Sequence, residues 1–360
     1  MSIGDGSWDG DAFREALDTT LARFLDGQAT LLTPLGPDAD RLLAEARTAV
    51  AGGKKFRATF CHWGFRALQP VVSGPEHERL LRACASLELL HASALAHDDL
   101  MDASDTRRGR PATHRALEAE HRAAGWRGDP VQYGAAGAIL LGDLLQGWAD
   151  EQLRRSGFGW DRVGPALEVF DLCRTEVIAG QFLDVSVQAR GRADVEAAMT
   201  VLRYKSAKYS IERPLHVGAA LAGGGPDELA ALTRFGLPLG EAFQLRDDLL
   251  GVYGDPATTG KPAGDDLVEG KRTVLVALAL GSAPPADADL LDRSLGTALG
   301  VDDVQRLRGV IDASGAHAEV ESLIAELSDI AVAALDDAGL DPHATEVLRG
   351  LAATVTQRAV

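Results

Sequence analysis

Apolar residues recur at three- and four-residue spacing through Asp40–Val50, Glu76–Met101, Val131–Arg155, Val163–Ala189, Val195–Ala222, Asp227–Val252, Thr273–Leu280 and Val301–Leu335. That period predicts an amphipathic helix over each segment, with a last helix near Pro342–Thr356. Alternating runs of β-branched and aromatic residues are absent, so the pattern predicts an all-α protein. Glycine and proline break the periodicity at "GGK" (52–54), "SGPE" (73–76), "GRP" (109–111), "GWRGDP" (125–130), "GGGPDE" (223–228), "GDPATTGKPAGDD" (254–266) and "APPADAD" (283–289). Most breaks are short connectors, as in a packed bundle. The stretch from about Gly254 to Gly270 is longer and rich in Gly, Lys and Asp, and long loops within compact domains are often functional. Residues 1–35 are set apart as an N-terminal extension whose start is expected to be poorly ordered, and residues 36–360 as one all-α domain. No solenoid-type repeat is visible.

With 46% hydrophobic residues in 360, the chain can bury a large core. Its 36 basic and 53 acidic residues leave a formal charge of −17, which argues against non-specific binding to nucleic acid or an anionic membrane surface. Cys61, Cys84 and Cys173 lie far apart without a CxxC spacing, so neither a disulfide framework nor a zinc site is indicated. The acidic N-terminus lacks an apolar signal core, and runs such as "TVLVALAL" fall far short of the ~20 residues a membrane helix needs. The expectation is a soluble, cytoplasmic protein.

The stretch His97–Pro111, "HDDLMDASDTRRGRP", changes the picture by placing four aspartates directly before three arginines. On a helix, Asp98 and Asp102 project from one face, one turn apart, where like charges repel unless a cation lies between them. Asp247 and Asp248 repeat the acidic pair in "QLRDDLLGVYGD" (244–255), again after an apolar helical run. Two such helices facing each other would make an oxygen-rich cage suited to Mg²⁺, which binds through a few carboxylates plus substrate phosphates. A solvated acidic helix face explains either motif alone but not the recurrence.

The basic residues complete the reading. "RRGR" (107–110) follows the first aspartates, "GGKKFRA" (52–58) supplies Lys54 and Arg57, "GKPAGDDLVEGKR" (260–272) supplies Lys261 and Lys271, and "RYKSAK" (203–208) places Lys205 in an apolar helical stretch. Arginine is suited to bidentate phosphate contacts. An acidic protein that groups its cations beside aspartate pairs is built to hold diphosphates.

These motifs, together with "ELLHASALAHDDLMD" (88–102), "DTRRGRPATH" (105–114), "LLGDLL" (140–145), "GQFLD" (180–184), "YKSAK" (204–208), "FGLPLGEAFQLRDDLLG" (235–251) and "GKPAGDDLVEGKRT" (260–273), resemble those of the trans-isoprenyl diphosphate synthases of the polyprenyl synthetase family, in family order. The resemblance implies a single-domain α bundle around a central cavity, normally a homodimer. It also implies head-to-tail condensation of isopentenyl diphosphate with an allylic diphosphate (dimethylallyl, geranyl or farnesyl). Asp98, Asp102 and Asp247 then resemble ligands of about three magnesium ions, with Asp248 and Asp266 helping through water. Arg107, Lys205 and Lys261 resemble partners of the allylic diphosphate; Lys54, Arg57, His91 and Arg108 resemble the isopentenyl diphosphate pocket, with Lys271 as a further diphosphate-binding residue. Gln181 and Asp184 would lie near the metals, Gln244 and Ser206 near the developing cation.

Two departures stand out. Gly251 occupies the position of the usual third aspartate, with Asp255 a substitute if the helix continues, and Ser206 stands where threonine is common. His97 is expected to be a packed core residue. Chain length would be set by Ser93 and Ala94, Leu90 and Leu87, one, two and three turns before Asp98 at ~5.4 Å per turn. The small pair at the first level favours a C20 product, geranylgeranyl diphosphate, with farnesyl or longer-chain synthesis as the alternative. A terpene cyclase should lack "GGKKFRA" and the Arg107–Arg108 pair, and a non-catalytic synthase subunit should have lost aspartates from one motif.

Overall fold

The computed structural model describes residues 8–191, 194–254 and 264–356, and they are all-α. Two compact units divide them, residues 1–62 with 71–167, and residues 63–70 with 168–360. Among the described residues no helix is long and apolar enough to cross a membrane.

The first unit contains α1 (Gly10–Leu32), α2 (Pro37–Val50), most of α3 (Phe56–Arg66), α4 (Pro75–Met101), α5 (Thr113–Ala124), α6 (Pro130–Arg154) and the start of α7 (Trp160–Arg190). The segment set apart as an N-terminal extension is mostly α1, capped by Asp9, whose side chain accepts from Asp11 N and Ala12 N. Leu17, Leu21 and Leu25, spaced four apart, are fully buried, so α1 is part of this unit's core rather than an appendage. The four-residue spacing of Leu17, Leu21 and Leu25 is the sign of α1 in the sequence. Helices α3 and α5 are short, 11 and 12 residues, and carry no long apolar period in the sequence.

Helix α4 is apolar on nearly every side, with Leu80, Leu87, Leu89 and Leu90 buried, as suits a central helix. It packs closely on α6, where Gly142 leaves room for the His97 ring; a Cβ there would overlap it. His97 Nε2 lies 3.2 Å from the Ile139 carbonyl. After α4 the chain makes a two-residue antiparallel hairpin, β1 (Thr106–Arg107) with β2 (Arg110–Pro111), turned by Arg108 and Gly109 at φ 53° and 72°.

The second unit holds the rest of α7, α8 (Val195–Val201), a π-helix over Leu202–Glu212, α9 (Arg213–Leu221), α10 (Pro226–Tyr253), α11 (Asp265–Glu269), α12 (Val274–Ser282), α13 (Pro285–Ser294), α14 (Val301–Ala313), α15 (Ala316–Ala334) and α16 (Pro342–Thr356). Where the periodicity predicted one helix over Val195–Ala222, the middle widens to i→i+5 bonding, which a spacing pattern cannot register. The expected helix over Val301–Leu335 breaks at Ser314–Gly315, where Gly315 has φ 82°. Leu245, Leu249, Val252, Leu267, Val274 and Leu275 form part of one buried cluster that fixes α10 against α11 and α12.

Candidate active site

In the first unit Asp98 and Asp102 close α4. Asp102 is its C-cap, and its N–H donates to the Asp98 carbonyl at 2.8 Å, so the one-turn spacing holds. The aspartate between them behaves differently. Asp99 is buried, and its Oδ1 accepts from Arg107 Nε at 2.8 Å and from Arg107 Nη2. Arg107 also lies 4.0 Å from Asp98 Oδ2. A buried carboxylate thus fixes the guanidinium beside the acidic helix end, where a free arginine would sample many rotamers. Sequence reading passed over Asp99; its signal was a third acid off the Asp98–Asp102 face, followed by arginines.

His91 sits among cations. Burial, then Arg57, Arg108, Arg107 and Lys55, push its imidazole well below the ordinary histidine value, so it is neutral at pH 7. Three members of the expected isopentenyl diphosphate pocket, Arg57, His91 and Arg108, are therefore brought together. Arg108 Nη1 donates to the Ala51 carbonyl at 2.6 Å and lies on Gly53, where a Cβ would come within 2.9 Å of Nη2. Gly53 also has φ 79°, so both backbone and space demand glycine there.

Lys54 is exposed, whereas its neighbour Lys55 is buried in a left-handed conformation at φ 54°. Lys55 Nζ donates to the Val50 carbonyl at 2.6 Å and lies 3.3 Å from Asp18 and 3.9 Å from Glu88. Glu88 in turn accepts from Ala58 N at 3.3 Å, in the first turn of α3, where a carboxylate complements the helix N-terminus. Lys55 and Glu88 thus anchor the turn that carries Arg57. An acid inside the apolar run "ASLELL" was the available sign. A crevice of about 380 Å³ borders this region, lined by Gly52, Gly53, Leu95, Asp99, Arg107 and Arg108 among others; Lys54, Arg57 and His91 do not line it.

Of the chain-length positions, Leu87, Leu90 and Ser93 are buried and Ala94 is half-buried.

In the second unit Asp247 is half-buried and Asp248 buried on α10. Gln244 Nε2 donates to Asp248 Oδ1 at 2.8 Å, one turn along the same face. Burial, with Asp266 and Asp247 adding negative charge against Gln244 and Lys271, pushes the Asp248 carboxyl up to about 8. Asp266 of α11 accepts from Lys271 Nζ at 3.1 Å, and Lys271 also pairs with Glu269 at 2.6 Å.

Gly251 has a local explanation. A Cβ at that position would overlap the Asp266 carboxylate, so the space of the missing third aspartate is filled by a carboxylate from α11. Helix α10 stops at Tyr253, capped by Gly254, so the helical continuation that would have carried Asp255 does not occur. Asp255 itself and Lys261 lie outside the described residues.

On α7, Asp184 is buried and accepts from Lys205 Nζ of the π-helix at 2.5 Å. Gln181, one turn before it, has a buried Nε2 without a hydrogen-bond partner, as expected of a donor kept for a ligand. Ser206 is half-buried beside Lys205 on the π-helix. Among the described residues no three His, Cys, Asp or Glu converge as a self-sufficient metal cage. Paired carboxylates with lysine and arginine nearby suit Mg²⁺, which takes the rest of its shell from water and substrate phosphates.

The described residues thus form an all-α scaffold with two aspartate-bearing helices, α4 and α10, each with lysine or arginine side chains nearby, and its family match makes it a prenyltransferase. The family profile described as Polyprenyl synthetase matches residues 40–311, and the chain belongs to that family. Its structure is similar to the crystal structure of geranylgeranyl pyrophosphate synthase from Corynebacterium glutamicum complexed with isoprenyl diphosphate and magnesium, with TM-score 0.95 and 43% identity, covering 98% of this chain and all of that one. In sequence it is 35% identical over 257 residues to the short chain isoprenyl diphosphate synthase of Methanothermobacter thermautotrophicus, covering 71% of this chain and 72% of the relative. It is 34% identical over 276 residues to the geranylfarnesyl diphosphate synthase of Aeropyrum pernix, covering 76% and 79%.

Proposed function

We propose that this chain condenses isopentenyl diphosphate head-to-tail with allylic diphosphates, releasing diphosphate, and that its main product is C20 geranylgeranyl diphosphate. The observation that carries the reading is the cation cluster around His91 in the first unit. A cyclase that handles one diphosphate has no use for it. The intact leading pairs Asp98–Asp99 and Asp247–Asp248 argue equally against a non-catalytic subunit.

Lys54, Arg57, His91 and Arg108 hold isopentenyl diphosphate, with neutral His91 donating a hydrogen bond rather than a charge. Arg107, Lys205, Lys261 and Lys271 hold the allylic diphosphate. Asp98, Asp102 and Asp247 take magnesium, with Asp248, Asp266 and Gln181 near it, about three ions in all. The metal, when bound, neutralises charge on the departing diphosphate. Asp184 pairs with Lys205 Nζ, so that the ammonium is placed before charge develops. Gln244 and Ser206 offer dipoles to the developing allylic cation. The double bond of isopentenyl diphosphate attacks that cation, and the proton lost passes to an oxygen of the released diphosphate.

A homodimer is supported by α7, which leaves the large apolar side chains of Leu172, Ile178, Phe182 and Val185 exposed. Cys61, Cys84 and Cys173 are buried and unbridged, in keeping with a cytoplasmic setting.

The test is purified protein with isopentenyl diphosphate, Mg²⁺ and each allylic primer in turn, reading product length. C20 is expected, and Ala94→Phe should shift it toward C15 by overpacking the wall. A wild-type product of C15 alone, or no elongation, overturns the proposal.

A further inference from the structure

The π-helix that carries Lys205 and Ser206 is a rare, loosely bonded element, and such elements persist only where their surroundings hold them. Two glycines grip its backbone. A Cβ at Gly180 of α7 would come within 2.6 Å of the Tyr204 carbonyl carbon, and one at Gly240 of α10 within 2.5 Å of the Ala207 oxygen.

The lower end is tied by an ionic network that no substrate role explains. Arg213 Nε and Nη2 donate to Glu176 at 2.6 and 2.8 Å, and Lys208 Nζ donates to Glu212 at 3.0 Å and lies 3.4 Å from Glu176. Arg213 Nη1 is 3.1 Å from His216 Nδ1, Thr233 Oγ1 is 3.1 Å from His216 Nε2, and Thr233 Oγ1 donates to Glu212 Oε1 at 3.0 Å.

The directions of these bonds follow from chemistry. A guanidinium only donates, so His216 Nδ1 must accept. The neutral ring therefore carries its proton on Nε2 and donates it to Thr233 Oγ1, whose own hydrogen goes to Glu212. Arg213, His216, Thr233 and Glu212 form one directed chain from α9 through α10 to the last residue of the π-helix. The two cations, Lys208 and Arg213, balance the two carboxylates, Glu176 and Glu212. Every link is buried or half-buried, so each is strong when complete and leaves a desolvated group when broken.

We propose that this chain sets the register of the π-helix, and that His216, Thr233 and Glu212 are positioning residues for the allylic diphosphate, acting through Lys205 and Ser206. The inference rests on the assignment of Lys205 to that diphosphate. Thr233 is the link to test, because valine keeps its shape and removes only the hydroxyl, while serine keeps the hydroxyl.

Thr233→Val should lower kcat about tenfold to a hundredfold and raise KM for the allylic diphosphate, because a displacement of about 1 Å has that effect. KM for isopentenyl diphosphate should stay within about twofold, and Thr233→Ser should restore kcat. Amide hydrogen exchange should quicken across residues 202–212 in Thr233→Val and not in the first unit. The proposal is overturned if Thr233→Val lowers only the melting temperature, or raises both KM values alike. Should Thr233→Val fail to fold, Thr233→Ala, which leaves space at this half-buried position, is read by the same two criteria. Lys205→Ala separates the two levels. If it leaves allylic KM and kcat unchanged, the assignment of Lys205 fails; if it impairs them while Thr233→Val does not, only the positioning role fails.

Discussion

Around Asp98 and Asp102 the neighbouring charges are cations, with Arg107 drawn in by Asp99 and Arg57, Arg108 and Lys55 gathered about His91. Around Asp247 and Asp248 they are mainly carboxylates, with Asp266 pressed into the space above Gly251 and Lys271 behind it. In the first neighbourhood the four cations Arg57, Arg107, Arg108 and Lys55 offset the acids Asp98, Asp99, Asp102 and Glu88, so that carboxylates at the helix end and cations behind them lie side by side. The second carries surplus negative charge, part of it suppressed by the high Asp248 value, and is prepared for a cation. Two motifs that read alike are thus specialised by what surrounds them.

The comparison is broken most directly by removing one ligand from each motif. Asp98→Ala and Asp247→Ala should each cut turnover by about a thousandfold or more without loss of helical circular dichroism, since each is a proposed magnesium ligand. Near-normal rates in either would mean that one neighbourhood is dispensable.

Asp99→Ala probes what makes the first neighbourhood different. Arg107 would lose its buried partner, and turnover should fall about tenfold to a hundredfold with a rise in allylic KM. Steady-state kinetics with each substrate varied would show it. An unchanged allylic KM would reduce Asp99 to a packing residue.

The two neutral histidines give a subtler contrast. Both are held below the ordinary value, His91 by burial and adjacent cations, His216 by burial, to about 4. The proposed isopentenyl diphosphate pocket includes His91 but not His216, so NMR titration should show the His91 value rising with isopentenyl diphosphate and His216 unmoved. His216 also has a stability consequence. Its folded value lies below the unfolded one of about 6.5, so the unfolded chain takes up the proton first as pH falls. Its contribution is complete above about pH 6.5 and is lost between 6.5 and 4, roughly 3 kcal/mol in all. Urea unfolding of wild type against His216→Gln across that window should show the shallower pH slope in the variant.

The smallest effect is expected at Gly251. Gly251→Asp must push the Asp266 carboxylate aside and adds a like charge, so the Mg²⁺ concentration for half-maximal rate should rise by no more than about tenfold. Gly251→Ala should produce most of the same shift through bulk alone. A large gain in metal affinity from Gly251→Asp would show that Asp266 is a poor substitute for the third aspartate.

Much of this was legible in the chain itself. Helix period, glycine and proline breaks, the four-residue spacing of Asp98 and Asp102 and the recurrence at Asp247 are local properties, set by backbone geometry within one or two turns. The all-α class and the diphosphate chemistry follow from them. Tertiary structure decided the partners that lie far apart in sequence: Asp266 filling the space at Gly251, Glu88 meeting Lys55 and the start of α3, and Glu176, His216 and Thr233 closing on the end of the π-helix. None of these leaves a periodic trace, because each depends on which side chain reaches a buried charge first. The π-helix itself belongs to that class, since its widened turn is stable only with Gly180 and Gly240 packed against its backbone, and residue order alone cannot say which glycines will arrive there.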